Sequence, residues 1–204
     1  MILLALANLP TPPWPDAPSP QELPELVRRA AEGDVRAFER LVVQYQGKVR
    51  SFARSFAPDH DEAADLAQEA LVKVYRSIGS FRFESSFTTW LFRIVKNTFL
   101  DAVKSRAAKE RSLQEPLDGE GERLAEAALA EERLLREEDR AAVWRAIARV
   151  PESYRAVLVL FDVEGLAYDE IAQVLGMPVG TVKSRLNRGR EALRQALFRA
   201  RRDP

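Results

Sequence analysis

The sequence predicts an all-α protein of two small helical domains joined by a flexible acidic linker. Apolar residues recur at every third or fourth position through residues 25–111 and again through 138–204, which is the spacing of one helix face. Neither segment shows the alternation of apolar and polar residues that is typical of a strand. A length of 204 residues suits one medium domain or two small ones.

Charge is unevenly distributed along a chain whose formal net charge is zero. Residues 25–111 carry 16 basic and 12 acidic side chains, residues 112–141 carry 4 and 10, and residues 142–204 carry 11 and 7. Two basic segments therefore flank an acidic one. This asymmetry predicts that the parts of the chain have different partners.

Residues 1–24 differ in composition from the rest of the chain. They contain seven prolines, a density incompatible with helix or sheet, so this arm is predicted to be extended or disordered. Its opening apolar stretch is too short for a membrane helix and lacks the basic start of a signal peptide. We therefore expect a cytoplasmic protein that does not insert into a membrane.

Residue types that carry catalysis or bind metals are scarce. The chain has no cysteine, which excludes disulfides, thiolate metal sites and a cysteine nucleophile. Its single histidine, His60, lies between Asp59 and Asp61 and is expected to be solvated. A glycine-rich phosphate-binding loop is also missing. We expect no catalytic residue, no metal and no cofactor, and hence a protein that is not an enzyme.

Three helical stretches are predicted in the first domain. They cover residues 24–57, 61–78 and 87–106, and the second begins with acidic side chains, which favour a helix N-terminus. A short polar loop precedes the third stretch, and Ser85 or Ser86 is its expected N-cap.

Residues 112–137 are predicted to form the linker, because they combine proline and glycine with many acidic side chains. The second domain follows over 138–204. Its four predicted helices lie at about 138–149, 152–163, 168–175 and 179–200.

The last two predicted helices, with a turn at Gly176, form a helix-turn-helix pattern. At about 3.6 residues per turn, the second helix has one apolar side, formed by Val182, Leu186, Gly189 and Leu193. Its opposite side presents small polar groups flanked by cations: Gly180, Lys183, Ser184, Asn187, Arg188 and Glu191. We expect the apolar side to face the domain core and the polar side to face outwards.

This polar side has the chemistry of a DNA-binding surface. Small polar groups and cations suit the base edges of a major groove, while Arg185 and Arg190, at the borders of the apolar side, would reach phosphates. An ordinary solvated helix face is the alternative, although acids are nearly absent here. One departure is Ala167, which stands where such motifs usually carry a Ser or Thr cap. Losing that cap costs about 1 kcal/mol.

Two long segments carry a resemblance to a known family. DLAQEALVKVYRSIGSFRFESSFTTWLFRIVKNTFLD, residues 65–101, resembles region 2 of the small extracytoplasmic-function (ECF) sigma factors of bacterial RNA polymerase, members of the sigma-70 family. VPESYRAVLVLFDVEGLAYDEIAQVLGMPVGTVKSRLNRGREALR, residues 150–194, resembles their region 4. The resemblance covers roughly residues 25–200 and implies promoter-specific initiation of transcription, with 25–111 as region 2 and 138–204 as region 4.

The resemblance implies a surface that binds core polymerase. In such sigma factors the helix with the Asp-Leu-x-Gln-Glu pattern docks on the clamp coiled coil of the β′ subunit, and region 4 meets the β flap. The pattern here consists of Asp65, Leu66, Gln68 and Glu69. From the residues alone, a solvated helix face is the favoured interpretation.

The resemblance also implies two promoter-binding sites. The loop 80–86 and the helix after it correspond to the reader of the −10 element, with Arg82, Phe83, Trp90, Arg93, Lys96 and Asn97 as the residues of suitable type. Core packing is the alternative for Trp90, as it is for Phe87 and Phe99. The −35 element would be recognised by Thr181, Lys183, Ser184, Arg185, Asn187, Arg188 and Arg190. Among these, Lys183, Ser184 and Asn187 match the base-facing positions.

The resemblance also bears on regulation and on alternative functions. Family members are often held inactive by an anti-sigma factor that covers both domains, which the resemblance implies as a further partner. The acidic linker could mimic a polyanion in a polymerase channel or simply keep the chain soluble. A response regulator would carry an α/β receiver domain, and residues 25–111 show no strand pattern. A protein that binds polymerase or an anti-sigma factor without initiating transcription stays open as an alternative.

Overall fold

The computed structural model describes residues 22–57, 60–110 and 141–200. All regular structure in these ranges is helical, as predicted: α1 (Leu23–Ala31), α2 (Val35–Ala53), α3 (His60–Ser77), a 3₁₀ turn (Ile78–Ser80), α4 (Phe87–Glu110), α5 (141–148), α6 (Glu152–Leu158) with a π-helical turn (Val159–Val163), α7 (Tyr168–Leu175) and α8 (Val179–Ala200). The predicted linker and most of the proline-rich arm lie outside the described residues, but the last two residues of that arm already belong to α1. The stretch predicted over 24–57 is two helices, because Gly33 breaks it with φ of 96°. None of the described helices is long and apolar enough to cross a membrane.

The first domain is built around α2, α3 and α4, which pack on one another. Val49, Phe52, Phe92 and Val95 are fully buried at their centre, and the rings of Phe52 and Phe92 meet edge to face at 5.0 Å. Burying each such side chain stabilises the fold by about 1.5–3 kcal/mol. The apolar spacing seen in the sequence is therefore the spacing of a real core.

The start of α4 is fixed by a serine cap. The backbone N–H of Thr89 donates to Ser86 Oγ at 3.1 Å, so Ser86 is the cap that the sequence left undecided between two serines. The cap fixes the start of the helix that carries most of the predicted −10 residues.

The second domain packs α6, α7 and α8 around Val157, Leu158, Ile171, Leu186 and Leu193. The helix predicted over 152–163 is present, but its second half is a π-helical turn rather than regular α-helix. The predicted bounds of the last two helices agree with the structure.

Two backbone features position the helix-turn-helix. Gly176 ends α7 with φ of 68°, the left-handed conformation that glycine adopts without strain. Gly189 allows α8 to approach α6, since a Cβ at this position would lie 3.3 Å from both Cβ and the carbonyl oxygen of Tyr154. Ala167 has no side-chain cap bond, and Glu170 makes only the other half of a capping box, with its Oε2 accepting the Ala167 N–H at 3.1 Å.

Candidate nucleic-acid interface

Helix α8 presents the predicted DNA-binding side to solvent. Val182, Leu186 and Leu193 are buried, while the polar side is exposed and consists of Gly180, Lys183, Ser184, Asn187, Arg188 and Glu191. The buried and exposed sides predicted from the helical repeat are thereby confirmed. Thr181 is half-buried, and its carbonyl oxygen accepts from Ser184 Oγ at 3.0 Å.

Lys183 is held over an aromatic stack. Its Nζ lies 5.5 Å from the ring centroid of Tyr168, and that ring stacks on Phe161 at 4.8 Å with an interplanar angle of 13°. A cation over a ring face is attracted by the ring quadrupole. The stack therefore restrains Lys183 at the edge of the exposed surface through a contact that no local pattern in the sequence indicates.

Arg190 is engaged inside its own domain. Its Nη2 lies 2.5 Å from Oδ1 of Asp162, whose side chain is only 4% exposed, and its guanidinium lies 5.2 Å from the ring centroid of Phe161. The hydrogen bonds to Asp162 raise the pKa of Arg190. Predicted as a phosphate contact, Arg190 is committed here to a structural ion pair. Arg185 is also partly engaged, because its Nη1 donates to the Ser153 carbonyl at 3.4 Å.

The loop before α4 exposes an aromatic side chain that packs on a cluster of other aromatic rings. Phe83 is 51% exposed and has φ of 58°, a conformation that costs a bulky residue about 1–3 kcal/mol. Its ring lies 4.7 Å from that of Phe81, which in turn contacts Trp90 at 5.1 Å. Phe87 is buried, so core packing is the correct interpretation of that residue. Trp90 is half-buried within the cluster.

The basic residues of the loop and of α4 differ in accessibility. Arg82 and Asn97 are exposed, whereas Arg93 and Lys96 are half-buried. Arg93 Nε donates to the Gln173 carbonyl at 3.0 Å, and Lys96 Nζ donates to the Leu175 carbonyl at 3.1 Å. Two of the predicted −10 cations are therefore bonded to α7 of the other domain.

The predicted polymerase-binding residues lie on α3. Asp65, Gln68 and Glu69 are exposed, while Leu66 is 7% exposed and faces inwards. Leu66 lines a cleft of about 310 Å³ with an apolar floor and an acidic rim, formed by Phe56, Ala57, Glu62, Asp65, Leu66, Glu69, Phe99, Ala102 and Val103. Phe99 stacks on Phe56 at 4.4 Å, which agrees with a packing role for this residue. The three polar residues therefore lie on the solvent-facing side of α3.

Residues that organise these surfaces were missed by the sequence analysis. Tyr168, Asp162 and Glu170 act through partners on other helices, at distances along the chain that no local pattern marks. Of these three residues, only Glu170 belongs to a recognisable local pattern, since a Glu three residues after an N-cap is half of a capping box. The described residues contain no group of three or more His, Cys, Asp or Glu that could hold a metal ion.

Family models match both domains of the chain. The model described as Sigma-70 region 2 matches residues 41–109, and the one described as Sigma-70, region 4 matches residues 140–193. The RNA polymerase sigma-H factor of Pseudomonas aeruginosa is 41% identical over 178 residues, which cover 85% of this chain and 92% of that protein. The ECF RNA polymerase sigma-E factor of Escherichia coli K12 is 40% identical over 173 residues, covering 82% and 90%. This chain belongs to the ECF sigma factors of the sigma-70 family.

Solved structures of sigma factors resemble the whole fold. The sigma factor RpoE in complex with the anti-sigma factor NepR, from Bartonella quintana, has a TM-score of 0.62 at 25% identity, covering 79% of this sigma factor and 96% of that chain. CnrH in complex with the cytosolic domain of CnrY has a TM-score of 0.59 at 27% identity, covering 86% and 96%. As a sigma factor, the chain directs promoter-specific initiation by RNA polymerase.

Proposed function

We propose that this sigma factor binds core RNA polymerase through α3 and recognises the −35 element with α8 and the −10 element with the loop 81–86 and α4. The exposed polar and basic side of α8 is the observation that supports this assignment most strongly. It combines three exposed side chains with base-reading or phosphate-binding chemistry, Lys183, Asn187 and Arg188, on a helix whose other side is buried.

Within α8, the exposed residues have different roles. Asn187 and Ser184 are short enough to bond base edges, and Lys183 reaches a base or phosphate from its place over the Tyr168 ring. Arg188 contacts phosphate. Arg190 is assigned to holding Asp162, so its contribution to DNA binding is indirect.

In the −10 region, capture of unstacked bases accounts for the exposed ring of Phe83. A base that leaves the duplex loses stacking energy, and an aromatic face restores about 1–3 kcal/mol of it. Arg82 lies beside that ring in the sequence and is exposed, so it can bind the adjacent phosphate. Melting then follows from binding the open strand more tightly than the duplex.

The proposal extends to partners and place of action. Asp65, Gln68 and Glu69 bind the clamp coiled coil of β′, and region 4 contacts the β flap. An anti-sigma factor regulates the protein, in keeping with the solved complexes of similar folds. The chain acts in the cytoplasm, and nucleotide addition is catalysed by the polymerase rather than by the sigma factor.

Run-off transcription with core polymerase tests the function. Core enzyme plus this chain should initiate at defined sites on promoter templates, and core enzyme alone should not. Asn187→Ala should reduce initiation about tenfold, since a good side-chain contact to a base contributes about 1–3 kcal/mol of discrimination. Gln195→Ala, an exposed change one turn beyond the proposed surface, is the matched control and should leave initiation unchanged. Failure of core enzyme to gain any specific start would refute the proposed function and favour a binding protein without initiation activity.

A further inference from the structure

The −10 face of α4 is occupied in this structure by α7, the first helix of the helix-turn-helix. Arg93 Nε donates to the Gln173 carbonyl at 3.0 Å, and Arg93 Nη2 lies 3.4 Å from the side-chain oxygen of the same residue. Lys96 Nζ donates to the Leu175 carbonyl at 3.1 Å. Both acceptors belong to the last turn of α7, where unpaired carbonyls carry partial negative charge.

A carboxylate occupies the beginning of the same face. Glu170 Oε1 accepts from Ser86 Oγ at 2.9 Å and from Thr89 Oγ1 at 3.3 Å, while its Oε2 caps α7 through the Ala167 N–H at 3.1 Å. Ser86 caps α4 and Thr89 lies in its first turn, where a negative group is favoured by the helix dipole. One carboxylate therefore joins the N-termini of both helices.

These acceptors resemble the oxygens of a DNA strand in their chemistry. Along one face of α4, α7 places a carboxylate on the N-terminal hydroxyls and carbonyl oxygens on the two cations that follow. Phosphate and base oxygens of a single strand would need the same donors. Helix α7 therefore covers the proposed −10 face of α4 with acceptors that stand in for those of the promoter strand.

The geometry of a promoter requires this contact to break. The −35 and −10 elements lie about 25 base pairs apart, which is roughly 85 Å along B-form DNA at about 3.4 Å per base pair. In the described structure, α7 and α4 touch. A single molecule cannot bind both elements in this arrangement, so its two domains must separate before it recognises a promoter.

Contacts outside the α4–α7 pair also join the domains. Arg155 Nη1 donates to the Ser55 carbonyl at 3.5 Å, and the guanidinium of Arg54 lies 5.1 Å from the ring centroid of Trp144. The hydrogen bond is long, and both side chains of the cation–π pair are half-buried.

We propose that α7 is an autoinhibitory element that binds the −10 face of α4 in place of promoter DNA. Glu170, Gln173 and Leu175 supply the acceptors, and opening releases Arg93 and Lys96 for the DNA strand. The DNA-binding part of this inference rests on the proposed function, whereas the closed contact itself does not. Apparent affinity for the −10 strand equals the intrinsic affinity scaled by the open fraction.

Two opposite substitutions at one exposed position test the proposal. Gln173→Lys places a cation beside Arg93 and should favour the open form, and Gln173→Glu should favour the closed form. Each change should shift the ratio of open to closed molecules by roughly threefold, the size of an exposed charge interaction. Both side chains are good helix formers, so α7 itself should persist.

The distance between the domains is measured first, without DNA. The chain has no cysteine, so Glu39→Cys on α2 and Arg199→Cys on α8 provide two exposed sites for spin labels in the full-length protein. Binding of a single-stranded −10 oligonucleotide is measured next on the same variants. The expected result is a longer mean distance and tighter binding for Gln173→Lys, with the opposite changes for Gln173→Glu.

Three other outcomes are informative. Identical distance distributions in all three proteins, with normal initiation in run-off transcription, overturn the autoinhibitory contact and leave the proposed function intact. Distances that respond while no variant binds the oligonucleotide or initiates transcription confirm the contact and refute the proposed function. Tighter binding by Gln173→Lys without a change in distance means that the new lysine contacts DNA directly, which also overturns the proposal.

Discussion

Glu164 should make the closure of the two domains depend on pH. This residue follows the π-helical turn, and burial raises the pKa of its carboxyl from 4.5 to about 7. Lys48 and Ser51 of α2 in the other domain face the carboxyl and lower its pKa in part, although Ser51 Oγ has no hydrogen-bond partner of ordinary geometry among the described residues. Desolvation is the largest effect, so the net change in the pKa of Glu164 is upward. The perturbation that tests it is Glu164→Gln, which mimics the neutral carboxyl.

The magnitude follows from the difference between the two pKa values. The closed form favours the neutral carboxyl. Full exposure on opening would return the pKa to 4.5, and the advantage of the closed form would then be complete below pH 4.5 and lost as pH rises to about 7. A difference of about 2.5 pKa units at 1.36 kcal/mol per unit gives at most about 3 kcal/mol, or a factor on the order of 10² in the opening equilibrium. At pH 8, Glu164→Gln should hold the domains closed more firmly than the parent protein by up to that factor.

Interdomain distance measured against pH is the assay. The spin-label sites at positions 39 and 199 serve again, and every protein carries His60→Gln because histidine as a residue type ordinarily changes charge between pH 5 and 8. The parent should open progressively between pH 5 and pH 7.5, while the Glu164→Gln protein should show a flat profile. Glu84→Gln, at an exposed carboxyl, is the matched control and should retain the parent profile. A parent profile without pH dependence, or one that Glu164→Gln leaves unchanged, would refute this reasoning.

Two further predictions concern the stability of the folded domains. Asp162→Ala should lower the free energy of unfolding by about 2 kcal/mol in chemical denaturation, because it leaves the guanidinium of Arg190 without its nearly buried partner. Arg190→Ala should lower the free energy of unfolding by a similar amount. A neutral result for both substitutions would show that the pair is not stabilising. Gly47→Ala should raise the melting temperature, since a Cβ there meets open space and alanine gains up to about 1 kcal/mol in a helix. Gly189→Ala should lower it, because the added methyl meets α6 at 3.3 Å, and equal gains at both glycines would contradict the close packing of α6 and α8.

Local patterns were sufficient for the helix-turn-helix and for the outward side of α8. The spacing of Val182, Leu186 and Leu193 identifies the buried side because the helical repeat depends only on neighbouring residues, and the structure buries all three. The turn at Gly176 was predictable for the same reason, since a left-handed residue at a helix end favours glycine. The site residues were proposed from the resemblance, and their contacts with DNA and polymerase stay predictions.

The partners of the cations were decided by tertiary structure alone. Arg190 was assigned to phosphate from its place on α8, yet Asp162, 28 positions earlier, binds it because α8 packs against the π-helical turn. The sequence places Arg93 on a basic helix face, but the carbonyl to which it donates belongs to Gln173, 80 positions later. A charged side chain bonds to whatever acceptor the packing of helices brings within about 3 Å, and the order of residues along one helix contains no information about the surface of another.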